Sequence, residues 1–80
     1  MIITVEISFY PLTDNYTSYI DSFLEKISNK NITVEIGKMS TLLIGEYGEV
    51  MKILSGSMND IMQDCPSIFN LKIANSCQVN

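Results

Sequence analysis

Hydrophobic and polar residues alternate along four segments of the chain, and this period of two residues is typical of β-strands with one apolar face. The alternation predicts strands over residues 2–10, 32–38, 41–47 and 68–75. Pro11 ends the first strand, because proline has no N–H to donate to a neighbouring strand. A short connection joins the second strand to the third, so we expect these two strands to form an antiparallel hairpin.

Two further segments have a hydrophobic period of three and four residues, which produces one apolar stripe along an α-helix. The first helix should end near the polar cluster 28–31, and the second should run from Glu49 to the stop at residues 64–66. Gly48 is expected to break the chain before the second helix. The predicted stripes consist of Tyr16, Tyr19, Ile20, Phe23, Leu24 and Ile27, and of Val50, Ile53, Leu54, Ser57, Met58, Ile61 and Met62.

The resulting order of elements is β-α-β-β-α-β, the pattern of the split βαβ, or ferredoxin-like, α+β fold. Right-handed crossovers place both helices on one face of a four-stranded antiparallel sheet, with the first and third strands in the centre. The chain has 80 residues, which is enough for one domain and too few for two. Residues 1–80 are therefore expected to form a single domain.

The other face of such a sheet must meet water, a ligand or another subunit. Residues 42–44 of the third strand are apolar toward both faces, and a central strand of this kind usually has both faces covered. We therefore expect the open face to join copies of the chain in a homo-oligomer, a dimer or a tetramer. The alternative is a few ordinary surface leucines. The expected open-face residues are Ile2, Thr4, Glu6, Ser8 and Tyr10 on the first strand, and Asn70, Lys72 and Ala74 on the fourth.

Glu6 is unusual because a carboxylate occupies the middle of a central strand, where β-branched residues are common. If a subunit or a ligand covers that face, the charge needs a partner, since an isolated buried charge is very costly. One interpretation is an ion pair with Lys72 on the neighbouring strand. The other is a contact with a bound ligand, and the residues leave both open.

Composition excludes several classes of function. The chain has no histidine, so we expect no Ser-His-Asp triad, Cys-His pair or histidine-based metal site. It has no Gly-rich phosphate loop and too few cysteines for an iron–sulfur cluster, so neither a metal nor a cofactor is predicted. The net charge of −4 disfavours nucleic acid and anionic membrane surfaces, which require clustered Lys and Arg. An enzyme that uses only carboxylates or a thiolate remains an alternative.

The two cysteines, Cys65 and Cys77, come without a recognisable export signal, which favours free thiols in a reducing compartment. The apolar runs are also far shorter than the roughly 18 residues that a membrane-spanning helix requires. A cytoplasmic location is therefore expected.

Three segments resemble motifs of one protein family. Residues 5–12 read Val-Glu-Ile-Ser-Phe-Tyr-Pro-Leu, residues 37–46 read Gly-Lys-Met-Ser-Thr-Leu-Leu-Ile-Gly-Glu, and residues 75–77 read Asn-Ser-Cys. In this order they resemble the thiamine-binding, YkoF-like family of small ferredoxin-like proteins, whose segments resemble E-I-S-x-Y-P-L, M-S-T-x-x-x-G and S-N-A-C-P. The departures lie in the third motif, whose serine, alanine and proline are replaced by Ala74, Ser76 and Gln78.

The resemblance implies a non-catalytic protein that binds thiamine or its hydroxymethylpyrimidine half and acts as a homo-oligomer. On this hypothesis the Glu6 carboxylate accepts a hydrogen bond from the pyrimidine amino group, while Tyr10 or Met39 packs on the ring. Glu46 would lie beside the cationic thiazolium. The full set of expected ligand contacts is Glu6, Ser8, Tyr10, Met39, Ser40, Thr41, Glu46 and Asn75.

Purely structural roles compete with this hypothesis. Met39 is then core filling, Ser40 and Thr41 shape the hairpin, and Asn75 caps its own turn. The whole protein would then be a structural or regulatory oligomer whose open face holds subunits together and binds no ligand.

Overall fold

The computed structural model describes residues 1–76 and has the predicted order of elements. The strands lie in the order β2-β3-β1-β4, and every neighbouring pair is antiparallel. The ferredoxin-like α+β fold, with β1 and β3 in the centre of the sheet, is therefore confirmed. In chain order the elements are β1 (Ile2–Pro11), α1 (Tyr16–Ile27), β2 (Thr33–Ile36), β3 (Thr41–Glu46), α2 (Tyr47–Asp64) and β4 (Ser67–Ala74).

The expected break at Gly48 is wrong. β3 ends at Glu46, α2 begins directly at Tyr47, and Gly48 lies in the first turn of that helix. The helix starts here because Glu46 Oε1 accepts a hydrogen bond of 2.8 Å from the backbone N–H of Gly48, which caps one of the unpaired donors of the first turn. The chain thus passes from a central strand into a helix without a loop.

The second strand is shorter than expected, because the chain turns tightly after Ile36. The backbone N–H of Gly37 donates to the carbonyl oxygen of Ser40 at 2.9 Å, and this bond closes the turn between β2 and β3. We call residues 37–40 the hairpin turn. It lies at the same end of the sheet as Ile7 of β1, which pairs with Thr41.

The core lies between the sheet and the two helices. Alternate residues of β1 point toward the helices, and the predicted helical stripes face the sheet, because burial there removes apolar surface from water. The ends of the stripes, Tyr16 and Met62, remain exposed. The buried hydrophobic residues of the core cluster are Ile3, Val5, Ile7, Phe23, Ile27, Ile32, Leu43, Val50, Leu54 and Ile61.

Cys65 ends α2 and is buried. It is a free thiol in the described part of the chain, and its Sγ donates to the carbonyl oxygen of Pro66 at 3.2 Å. Cys77 lies outside the described residues. None of the helices within residues 1–76 combines the length and the apolar character that crossing a membrane requires.

Candidate functional site

The open face carries side chains in rows that cross the sheet, because residues paired between neighbouring strands point to the same side. The register aligns β4, β1, β3 and β2 in that order. The residues predicted for this face on β1 and β4 do lie there. The middle row, which we call the charged row, consists of Lys72, Glu6, Leu42 and Glu35.

A second row lies next to the charged row and carries no charge. We call it the uncharged row, and its side chains are small or apolar. Ile44 is partly buried at its centre, as Leu42 is in the charged row. The uncharged row consists of Ala74, Thr4, Ile44 and Thr33.

Glu6 has a neighbour on each side. Ser40 Oγ donates a hydrogen bond of 3.0 Å to Glu6 Oε2, and Lys72 Nζ lies 3.9 Å from Glu6 Oε1. The ion pair that the sequence offered as one interpretation is therefore present. The Lys72 side chain is 83% exposed and that of Glu6 is 43% exposed, so the pair is well screened and weak. Glu6 Oε1 consequently remains available for a stronger partner.

Five of the eight predicted ligand contacts come together around Glu6. They line a depression of about 190 Å³ on the open face, which we call the Glu6 depression. Ser8 Oγ, on its wall, donates to the carbonyl oxygen of Met39 at 3.5 Å, a long contact between β1 and the hairpin turn. The predicted residues that line it are Glu6, Ser8, Tyr10, Met39 and Ser40, and Asn70 and Lys72 complete the wall.

Glu35 is a neighbour of this site that the sequence did not predict. It lies two strands from Glu6 in the charged row, and both carboxylates line an adjoining hollow of about 230 Å³ together with Ser40 and Leu42. The register of the strands could have identified Glu35 as a neighbour of Glu6, because Glu35 pairs with Leu42 and Leu42 pairs with Glu6. Alternation alone gives the face of a residue, whereas the register also gives its neighbours.

Thr41 lies on the other side of the sheet. Its side chain is buried, and it lines an apolar cleft of about 230 Å³ between the hairpin turn and α1. Phe9, Phe23 and Leu24 form much of the wall of this cleft. Thr41 therefore faces away from the Glu6 depression, although it follows Ser40 directly, because successive residues of a strand point to opposite faces.

Glu46 and Asn75 lie at the opposite end of the sheet from Tyr10. Glu46 pairs with Ile2, and Asn75 directly follows Ala74, which pairs with Thr4. Ile2 and Glu6 are four positions apart on β1, and a strand rises roughly 3.3 Å per residue, so the separation is about 13 Å. Within one subunit these two residues do not join the Glu6 depression.

The carboxylate of Glu46 has a structural contact of its own. The hydrogen bond from the Gly48 backbone N–H lowers the pKa of Glu46 below its ordinary value of 4.5, and the bond from the amine of Met1, 3.4 Å away, acts in the same direction. A carboxyl group with a lowered pKa in the folded state stabilises that state above its unfolded-state pKa, and this stabilisation is lost as the pH falls through the folded-state pKa.

We therefore expect Glu46→Gln to flatten the acid limb of the stability curve. The wild type should be the more stable protein near neutral pH, and the difference should shrink as the pH falls below 4.5, where the carboxylate becomes protonated. Thermal unfolding followed by circular dichroism over a pH series measures this, with Glu25→Gln on the exposed face of α1 as the control. Parallel acid limbs for wild type and Glu46→Gln would contradict the expectation.

The described part of the chain contains no group of side chains suited to bind a metal ion. No three His, Cys, Asp or Glu side chains of residues 1–76 lie close enough together to hold one. What the Glu6 depression offers instead is one carboxylate, one ammonium group, one amide, several hydroxyl groups, an aromatic ring and a thioether. This set suits a small ligand that has hydrogen-bond donors and a flat face.

Comparisons with known proteins agree with this chemistry. Residues 5–75 match the family described as "Thiamine-binding protein". A candidate thiamine biosynthesis/salvage protein from Thermotoga maritima is 25% identical, with a TM-score of 0.82 over 95% of this chain and 85% of that chain. A comparison with curated proteins gives no match.

Two further solved structures share the fold. A protein from Streptococcus pneumoniae has a TM-score of 0.85 at 23% identity, over 95% of this chain and 88% of that chain. A domain of unknown function from Bacillus cereus has a TM-score of 0.79 at 21% identity, over 95% of this chain and 77% of that chain. At these identities the likeness concerns the fold alone.

Proposed function

The chain belongs to the thiamine-binding protein family, and from this premise we propose that it binds thiamine or its hydroxymethylpyrimidine half in the Glu6 depression. Membership of the family supports binding of a small molecule as the general role. Support for the location comes from the convergence of five polar, aromatic and thioether side chains on one depression of the open face. The main observation behind the proposal is the half-exposed carboxylate of Glu6 at the centre of this depression.

The pyrimidine ring finds complementary groups around Glu6. Its exocyclic amine donates to Glu6 Oε1, which otherwise has only the weak contact with Lys72 at 3.9 Å. The Lys72 ammonium and the Asn70 amide supply donors for the ring nitrogens. Met39 is 87% exposed, and a flat ring that packs on its thioether removes apolar surface from water.

The cationic thiazolium then lies beside Glu35 rather than Glu46. Glu35 shares a hollow with Glu6 and Ser40, whereas Glu46 is at the far end of β3 and caps α2. Opposite charges attract most strongly at short range. Glu35 thus replaces Glu46 in the proposed set of ligand contacts.

Self-association through the open face is part of the proposal. Leu42 and Ile44 place apolar side chains at the centre of this face, where no helix covers them. A contiguous apolar surface of this kind marks an interface more often than a free surface. The protein would therefore work as a homo-oligomer.

Isothermal titration calorimetry with thiamine, thiamine phosphate and hydroxymethylpyrimidine tests the ligand. We expect saturable binding to the wild type, about 10- to 150-fold weaker in Glu6→Gln, because one hydrogen bond to a charged group contributes about 1.5–3 kcal/mol. Glu25→Gln, on the exposed face of α1, makes the same chemical change away from the site and should bind like the wild type.

Two results would overturn the proposal. Unchanged affinity in a folded Glu6→Gln protein would remove the role of this carboxylate. If none of the three compounds binds to a folded, self-associated wild type, the protein is better described as a structural or regulatory oligomer.

A further inference from the structure

We propose that the apolar cleft between the hairpin turn and α1 is a second binding site, and that it takes a small aromatic carboxylate. We call it the turn–helix cleft. Its walls include α1 and the buried Thr41, whereas the Glu6 depression lies on the other face of the sheet. The ligand also has the opposite charge to thiamine, so the proposal does not rest on the function proposed above.

Aromatic and aliphatic side chains form the wall of this cleft away from the hairpin turn. The rings of Phe9 and Phe23 lie against each other, with their centroids 5.2 Å apart, and Leu24 extends the same wall along α1. A cavity of about 150 Å³ lined by Leu, Ile and Phe holds one benzene ring. The turn–helix cleft, at about 230 Å³, therefore has room for one ring with a short substituent.

One polar group is buried in the cleft without a partner. Thr41 is 7% exposed, and its hydroxyl makes no hydrogen bond within residues 1–76. A buried hydroxyl ordinarily has a partner, because the loss of its hydrogen bonds to water is costly. The two serine hydroxyls beside the cleft already donate, Ser8 to the carbonyl oxygen of Met39 and Ser40 to Glu6. Thr41 is thus the hydroxyl that a ligand in the cleft would engage.

The charge at the cleft favours an anion. Among the described residues that line it, Lys38 is the one that carries a charge, although the whole chain has a net charge of −4. Lys38 is exposed, and its ammonium group forms no ion pair with a carboxylate of the described part of the chain. A carboxylate placed between Lys38 and Thr41 would accept charge-assisted hydrogen bonds from both.

The polar and apolar groups lie at opposite ends of the cleft, which sets the orientation of the ligand. Lys38 belongs to the hairpin turn and Thr41 follows it directly, whereas Phe23 and Leu24 lie on α1. The carboxylate therefore lies at the turn, and the ring lies against α1. Its contact with Met39, which is largely exposed at the cleft, removes further apolar surface from water.

The two sites should therefore select ligands of opposite charge. The Glu6 depression and its adjoining hollow present Glu6 and Glu35 to a cation, and the turn–helix cleft presents Lys38 to an anion. Because opposite charges attract and like charges repel, neither ligand suits the other site. Met39 and Ser40 border both sites, so the hairpin turn is the wall between them.

Nuclear magnetic resonance titration of the ¹⁵N-labelled protein with phenylacetate tests the site. We expect saturable shifts of backbone amides along α1, at Ile20 and Leu24, and at Lys38 and Thr41. Acetate has the charge without the ring and should give no saturable shift. Phenylacetamide has the ring without the charge and should bind about two- to fivefold more weakly than phenylacetate, as expected for the loss of one exposed ion pair.

Two variants separate the hydroxyl from the charge. Thr41→Val removes the hydroxyl and should raise the dissociation constant of phenylacetate about 2- to 12-fold, the usual contribution of one hydrogen bond. Lys38→Gln should abolish the preference for phenylacetate over phenylacetamide. The controls are Thr33→Val and Lys30→Gln, which make the same changes at exposed residues outside the cleft and should leave the dissociation constant unchanged.

Three results would overturn the proposal. The first is the absence of a saturable shift when phenylacetate is added to the folded wild type. The second is a set of largest shifts at Asn70 and Lys72, which would place the compound in the Glu6 depression. The third is an unchanged preference for the acid in Lys38→Gln, which decides the matter alone if Thr41→Val does not fold. Calorimetry with thiamine is independent of all three, so the two proposals fail separately.

Discussion

Replacing Phe23 with alanine should destabilise the protein by about 3–5 kcal/mol, because the loss of a buried aromatic side chain leaves a cavity that the core fills only partly. Phe23 is 2% exposed, and its ring centroid lies 5.2 Å from those of Phe9 and Phe69. The rings of Phe9 and Phe69 are stacked, with their centroids 4.4 Å apart and their planes nearly parallel. Phe23 is thus the side chain through which α1 packs on an aromatic pair of the sheet.

An effect of this size is a large fraction of the total stability. At about 0.05–0.15 kcal/mol per residue, a domain of this length has roughly 4–12 kcal/mol in all. Urea unfolding followed by circular dichroism measures the change. Tyr16→Ala is the matched control, because Tyr16 belongs to the same predicted stripe of α1 and is 55% exposed.

We expect Tyr16→Ala to change the free energy of unfolding by less than about 0.5 kcal/mol, as is usual for surface substitutions. Equal losses for the two variants would contradict the packing described for α1. A loss below about 1.5 kcal/mol in Phe23→Ala would show that the surrounding side chains collapse into the space, since the cost depends on how well a site relaxes.

The second large effect is on the free energy of unfolding, which we expect glycine-to-alanine substitutions at two positions to change in opposite directions. A Cβ at Gly45 would lie 2.9 Å from Cγ2 of Ile32 and 3.2 Å from Cγ2 of Val50, both buried side chains, whereas a Cβ at Gly56 meets nothing within 4 Å. We expect Gly45→Ala to destabilise the protein by about 1–3 kcal/mol through overpacking. Gly56→Ala should stabilise α2 by about 0.5–1 kcal/mol, because alanine restricts the unfolded chain and favours helix.

Thermal and urea unfolding of the two variants measure these changes side by side. The pair forms its own control, since each substitution adds one methyl group and differs only in what surrounds it. Stabilisation by Gly45→Ala would show that β3, Ile32 and α2 can separate at little cost. Destabilisation by Gly56→Ala would show that the exposed face of α2 has a contact that requires glycine.

The alternation and the helical stripes predicted the fold because a one-sided apolar pattern reports burial directly. β1 is the clearest case, with Ile3, Val5 and Ile7 buried against the helices and Glu6 on the open face. The break expected at Gly48 failed for a local reason. Glycine usually weakens a helix, but the side chain of Glu46 caps the first turn of α2, and the hydrophobic pattern contains no signal for that bond.

The candidate site was predictable where one strand or one turn supplied its residues. Glu6, Ser8 and Tyr10 alternate along β1 and therefore share a face. Glu46 lies apart from these residues within one subunit, because proximity along the sequence is not proximity in space. Glu46 is six positions of extended chain from Ser40, roughly 20 Å, so a motif that covers a whole strand reaches both ends of the sheet.

The central position of β1 also has a consequence for how the chain folds during synthesis. β1 leaves the ribosome before the other strands of the sheet, but one of its two edges pairs with β4, as Thr4 does with Ala74. Until β4 has emerged, that edge lacks its native partners, and an unpaired apolar strand edge is a template for wrong pairing. The sheet is therefore completed only after β4, the last of its strands in chain order, has been translated, and contacts this distant in sequence slow folding.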